Sequence, residues 1–164
     1  VLALIHASEW PDKLAGIASI NAPIKFQDNK IAFVPLLQSL NKMTDWLPMM
    51  DTALPFRTHE SEHPHINYKA MPIQALNELR TMIEEMQRRL PEVETPVLLL
   101  QADKDPVVHP DSVKHIYGKL ATDCQLKMIE KDVHGIVTDE DSESWAILDE
   151  FIERISGVSE EKKP

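Results

Sequence analysis

The chain has 164 residues, 43% of them hydrophobic and 27% charged, which is the length and make-up of one globular domain. Its 17 Lys and Arg stand against 27 Asp and Glu, a net charge of −10, and that average field repels a polyanion and excludes nucleic acid as a natural partner. The longest unbroken apolar runs, such as residues 1–5 and 97–100, fall well short of the roughly 20 residues of a membrane-spanning helix, so no integral membrane segment is expected.

VLALIHASEWPDKL reads as the body and end of a helix without a beginning, because no cap residue or turn precedes it. On that ground the chain is expected to be the C-terminal part of something longer. The helix should stop before Pro11, since residues preceding proline avoid the α region. LAGIASINA (14–22) is a run of strand length, rich in small and β-branched residues, of the kind buried on both faces. Residues 25–70 are irregular and punctuated by prolines; FVPLLQSLNKM and WLPMM suggest short helices, and PFRTHESEHPHINY is polar and loop-like. Pro72 suits a first helical position, and Leu76, Leu79, Ile83, Met86 and Leu90 then recur at helical spacing up to Pro91. PVLLLQA (96–102) is a second buried strand. Pro110 and Asp111 open a helix with Val113, Ile116, Tyr117 and Leu120 on one face. CQLKMIE (124–130) is a third strand, with Leu126, Met128 and Cys124 alternating inward. DEDSESW starts a last helix, acidic in its first turn as the helix dipole favours, with an apolar stripe of Leu148, Phe151, Ile152 and Ile155. SEEKKP is a polar tail.

Strand, helix, strand, helix implies an α/β class with parallel strands and right-handed crossovers. The expected division is a core of residues 1–24 and 91–158, a helical cap inserted at 25–90, and a tail at 159–164. Three parallel strands alone leave an apolar edge, which natural proteins avoid, so partner strands are expected in a missing N-terminal half of the same fold. Ligands of open parallel sheets sit beyond the carboxyl ends of the strands. Two loops leave the strands there: ADKDPVVHP (102–110) and KDVHGIV (131–137). Adjacent strands lie about 4.8 Å apart, so an Asp of the first loop can reach the His of the second. An Asp holding a His that acts as base is two thirds of a nucleophilic triad.

PVLLLQADKDPVVHPDSVKHIYGKL followed by LKMIEKDVHGIVTDE resembles the C-terminal half of an α/β-hydrolase of the carboxylesterase and monoacylglycerol-lipase (lysophospholipase-like) group, and VLALIHASEWPDKLAGIASINAPI resembles the segment that follows its nucleophile elbow. The resemblance implies a serine hydrolase of carboxylic esters that needs no cofactor and acts on small esters or lipids such as monoacylglycerols or lysophospholipids. It implies His134 as general base and Asp105 as acid, with Asp103 the alternative, and a serine encoded upstream of Val1, so that this chain by itself is expected to be inactive. The insertion resembles the family's cap over an acyl pocket, with Phe26, Phe33, Leu36, Leu37, Trp46, Leu47 and Met49 as candidate lining and Val107 and Ile136 beside the triad residues.

Competing readings make different predictions. HESEH (59–63) matches the H-E-x-x-H zinc motif, but Pro64 pushes His63 away from helical geometry and the flanks carry no apolar stripe, so a solvated loop is the better reading and no metal is expected. A non-catalytic α/β module that pairs with a partner through its open sheet edge is the other alternative. The insertion's apolar residues also serve as its own core, with Met82 and Met86 as filler. Cys124, the only cysteine, forms no internal disulfide and is read as a small buried side chain. With no charged n-region ahead of an apolar stretch, a lone cysteine points to a reducing compartment and a cytoplasmic location.

Overall fold

A computed structural model describes residues 1–27, 56–58, 70–137 and 143–157. In chain order the helices and strands are α1 (Leu2–Glu9), β1 (Ile17–Ile20), β2 (Phe56–Thr58), β3 (Ala70–Pro72), α2 (Ile73–Arg89), β4 (Val97–Ala102), α3 (Asp111–Tyr117), β5 (Cys124–Ile129) and α4 (Glu143–Ser156). The chain divides into two compact units, one made of residues 1–27 and 83–164 and the other of residues 28–82.

In the first unit β1, β4 and β5 form a parallel sheet in the order β1-β4-β5. Ile17 pairs with Val97 and Val97 with Cys124, so the three strands share a register and their side chains line up across the sheet. On one face Ile17, Val97 and Leu99 pack with Leu4 and Ala7 of α1, Met86 of α2 and Val113 and Ile116 of α3, with Leu90 and Val93 between α2 and β4; Cys124 and Leu126 close the cluster from β5. On the other face Leu100, Ala102 and Ile129 pack with Ile136, and Ile20 and Ile147 of α4 flank them. Every residue of β4 is buried, Gln101 included, as the apolar run of residues 97–100 predicts for a central parallel strand. Each such Leu contributes about 1.5–3 kcal/mol through burial, which makes β4 the axis of the core.

Local chemistry sets the element ends. Trp10 leaves the helical region ahead of Pro11, and a short 3-10 turn (Pro11–Lys13) follows. At the other end of the chain Gly157 takes a positive φ of 67° and stops α4, a conformation in which a Cβ is costly.

Several expectations need correction. The first strand is only Ile17–Ile20, and Ala18 is exposed, so it is not buried on both faces. Pro72 ends β3 rather than opening the helix, and Phe56–Thr58, read as loop, pairs antiparallel with Ala70–Pro72 in the second unit. Tyr117 is 47% exposed because it lies about 100° around the helix from Ile116. Ile152, one position past Phe151, is also exposed; the covered side of α4 carries Ile147, Leu148, Phe151 and Ile155 instead. In β5 the expected alternation is not seen: Cys124 to Lys127 are all half-buried, Met128 is exposed, and Ile129 is buried on the opposite face. The stretches 33–43, 46–50 and 158–164 lie outside the described residues.

Candidate active site

The carboxyl ends of β1, β4 and β5 carry the polar side chains that matter. After β4 the chain turns through Asp103, Lys104 and Asp105 to Pro106. Proline restricts Asp105 to extended conformations, and the Asp105 side chain then turns back on its own loop. Oδ1 accepts the N–H groups of Val107 (2.7 Å) and Val108 (2.9 Å), a local turn that suits Asp. Oδ2 faces Nδ1 of His134 at 2.8 Å. Asp105 is fully buried. An ionised Asp105 accepts and does not donate, which places the shared proton on Nδ1, and a neutral ring then carries its lone pair on Nε2.

Of the two acids open in the sequence, the structure brings Asp105 to His134. Asp103 is exposed, and its Oδ1 accepts the N–H of Lys131 at 3.2 Å, tying the two loops together at their roots. Lys104 adds an ion pair to Glu130 across the same loops, and that hydrogen bond raises the lysine pKa.

Three polar residues complete the surroundings, and none was singled out from the sequence as a site residue. Gln101, fully buried, donates from Nε2 to the Ala102 carbonyl at 3.1 Å and lies 3.4 Å from Asp105 Oδ2. A glutamine inside PVLLLQA is a visible signal, since a buried polar side chain needs a partner. Gln27 crosses the Asp105 loop: its N–H donates to Val107 O at 2.9 Å and its Nε2 to Asp105 O at 3.0 Å. Asn21, at the end of β1, donates from Nδ2 to the His134 carbonyl at 2.6 Å.

The other candidates are scattered. Phe26 forms an isolated antiparallel bridge with Val108, beside the Asp105 loop. Val107 is 41% exposed, whereas Ile136 is buried against Leu100, Ala102 and Ile129. Phe33, Leu36, Leu37, Trp46, Leu47 and Met49 lie outside the described residues, as does HESEH. Among the described residues no three His, Cys, Asp or Glu side chains are placed to hold a metal ion. No described helix is long and apolar enough to cross a membrane. Cys124 is half-buried, and burial pushes its thiol up to about 11, which keeps it protonated and unreactive near neutral pH.

No curated protein matches the chain. Solved structures do. One from work on LipS and LipT, two metagenome-derived lipolytic enzymes, aligns with a TM-score of 0.72 at 22% identity, over 95% of this chain and 60% of that one. A monoacylglycerol lipase from Paleococcus ferrophilus aligns at 0.67 and 19% identity, over 95% of this chain and 64% of its own. A thermostable carboxyl esterase from Bacillus coagulans aligns at 0.66 and 17% identity, over 96% and 61%. The chain therefore spans less than two thirds of the structures it matches, and at these identities the likeness establishes the α/β-hydrolase fold. The family model described as serine aminopeptidase, S33, matches residues 1–141. By that match over most of its length, the chain belongs to the serine aminopeptidase, S33, family of α/β-hydrolases.

Proposed function

We propose that this chain is the C-terminal part of a serine hydrolase of carboxylic esters and supplies the acid and base of a Ser-Asp-His triad, Asp105 and His134, to a serine encoded upstream of Val1. The observation that carries this reading is the buried Asp105 carboxylate, pinned through Oδ1 by two N–H groups and aligned through Oδ2 on His134 Nδ1. In the reaction, His134 Nε2 takes the serine proton as the hydroxyl attacks the ester carbonyl. The imidazolium, stabilised by Asp105, then protonates the leaving alcohol. Water, deprotonated by the same nitrogen, attacks the acyl-enzyme, and the acid product leaves with the serine restored. No cofactor enters these steps.

The structural neighbours, which include lipolytic enzymes, a monoacylglycerol lipase and a carboxyl esterase, support small esters or monoacylglycerol-like lipids as substrates. As the family resemblance implies, the second unit, residues 28–82, is read as a cap over an acyl pocket, with Leu36 and Trp46 as candidate lining; on the first unit, Phe26 and exposed Val107 at the Asp105 loop are further candidates. The lone free cysteine fits a cytoplasmic location.

The family description favours a second substrate class, amides with a free α-amine, which the same acid and base serve. Assays on a p-nitrophenyl ester and an aminoacyl p-nitroanilide separate the two. In the full-length protein His134→Ala is expected to abolish turnover of the preferred substrate and slow fluorophosphonate labelling of the serine, with the far-UV circular dichroism unchanged. Wild-type turnover in this variant overturns the assignment. A folded full-length protein that takes no fluorophosphonate label favours the non-catalytic binding module.

A further inference from the structure

Asn21 stands where the β1–β4 ladder ends, with a φ of 45°. That left-handed conformation is costly for most side chains and tolerated by asparagine. It keeps the Asn21 N–H on the Leu100 carbonyl (2.9 Å) while swinging the carboxamide across the end of β4. There Oδ1 accepts the Ala102 N–H at 2.9 Å, and Nδ2 donates to the His134 carbonyl at 2.6 Å. Asn21 is 3% exposed. One side chain thus joins the ends of β1 and β4 to the loop after β5. The Ile136 N–H also donates to the His134 carbonyl, at 3.1 Å, so that oxygen is held from two directions. The acid and the base have different anchors: Asp105 is held by its own loop together with Gln27, and the His134 backbone by Asn21.

We propose that Asn21 is a positioning residue for the base: its carboxamide fixes the His134 backbone at the strand ends so that Nδ1 meets Asp105 Oδ2 and Nε2 faces the substrate. The inference rests on His134 being the base. The His134 side chain is 40% exposed, so packing covers only part of it and the backbone anchor sets where the ring begins. A displacement of about 1 Å costs up to about 100-fold in rate, which gives a single backbone hydrogen bond kinetic weight.

The test compares wild type, Asn21→Gly, Asn21→Asp and His134→Ala in the full-length protein on p-nitrophenyl butyrate. Asn21→Gly keeps the positive φ and removes both side-chain bonds. Asn21→Asp keeps an acceptor for the Ala102 N–H, loses the donor to His134 and sets a carboxylate oxygen against the carbonyl. Being the same size and tolerant of positive φ, it decides the matter where Asn21→Gly does not fold. Both variants are expected to lower kcat by about 10- to 100-fold with little change in KM, and to broaden or erase the downfield proton resonance of His134 Nδ1. Folded variants that keep the wild-type kcat and this resonance, losing only thermal stability, overturn the inference. If His134→Ala is inactive in that same experiment, the triad reading survives without Asn21. If His134→Ala is active, the triad reading and this inference fall together.

Discussion

At the scale of single residues the site turns on one carboxylate with two jobs. Asp105 Oδ1 builds its loop and Oδ2 aligns the histidine, so the two functions are separable by chemistry. Asp105→Asn can keep an oxygen on the Val107 and Val108 N–H groups, but it presents an N–H to Nδ1 and selects the wrong tautomer. We expect kcat for the preferred substrate to fall on the order of 10⁴-fold in the full-length protein while urea unfolding shows a native-like midpoint. A loss below tenfold would mean that His134 does not depend on this acid. The two loops were readable from the order strand, Asp-bearing loop, strand, His-Gly, but the choice between Asp103 and Asp105 was not. The supporting amides were not: Asn21 reaches partners 81 and 113 positions away, and no local pattern marks such a separation.

At the scale of elements the helical stripes were legible where burial follows the period of the helix. The errors among the helices lie at the borders of the stripes: Tyr117 and Ile152 are apolar enough to be counted inward, yet helix rotation leaves each exposed, and in strand β5 Met128 is exposed as well. Gly16 shows how closely α4 approaches β1. A Cβ there would lie 2.6 Å from Ile155 Cδ1 and 3.0 Å from the Phe151 ring. Ile155 can yield at its free end, but Phe151 is buried in place. Gly16→Val is expected to destabilise by about 1–3 kcal/mol through overpacking, read as a lower urea midpoint at an unchanged m-value. A neutral effect would place α4 farther from the strand. Neither this contact nor the pairing of Phe56–Thr58 with Ala70–Pro72 follows from local propensity, because each depends on a distant segment.

At the scale of the whole molecule the charge of −10 acts on stability as well as on partners. Lowering the salt from about 0.15 M to about 0.01 M lengthens the screening distance from about 8 Å to about 30 Å, so like charges feel one another across the molecule. The thermal midpoint of the chain should fall in low salt, by about 2–4 °C for each kcal/mol of added repulsion. A rise would mean that surface ion pairs such as Lys104–Glu130 and Arg154–Asp123 outweigh the net charge. By itself the sequence determined the α/β class, the buried central strand and the Asp and His loops at one sheet edge, because apolar periodicity and turn chemistry act over a few residues. Only the tertiary structure decided which Asp meets His134, that Asn21 and Gln27 brace the two loops, and which apolar residues stay exposed. Those outcomes depend on strand register and on the reach of covering helices, which bring together residues far apart in the chain.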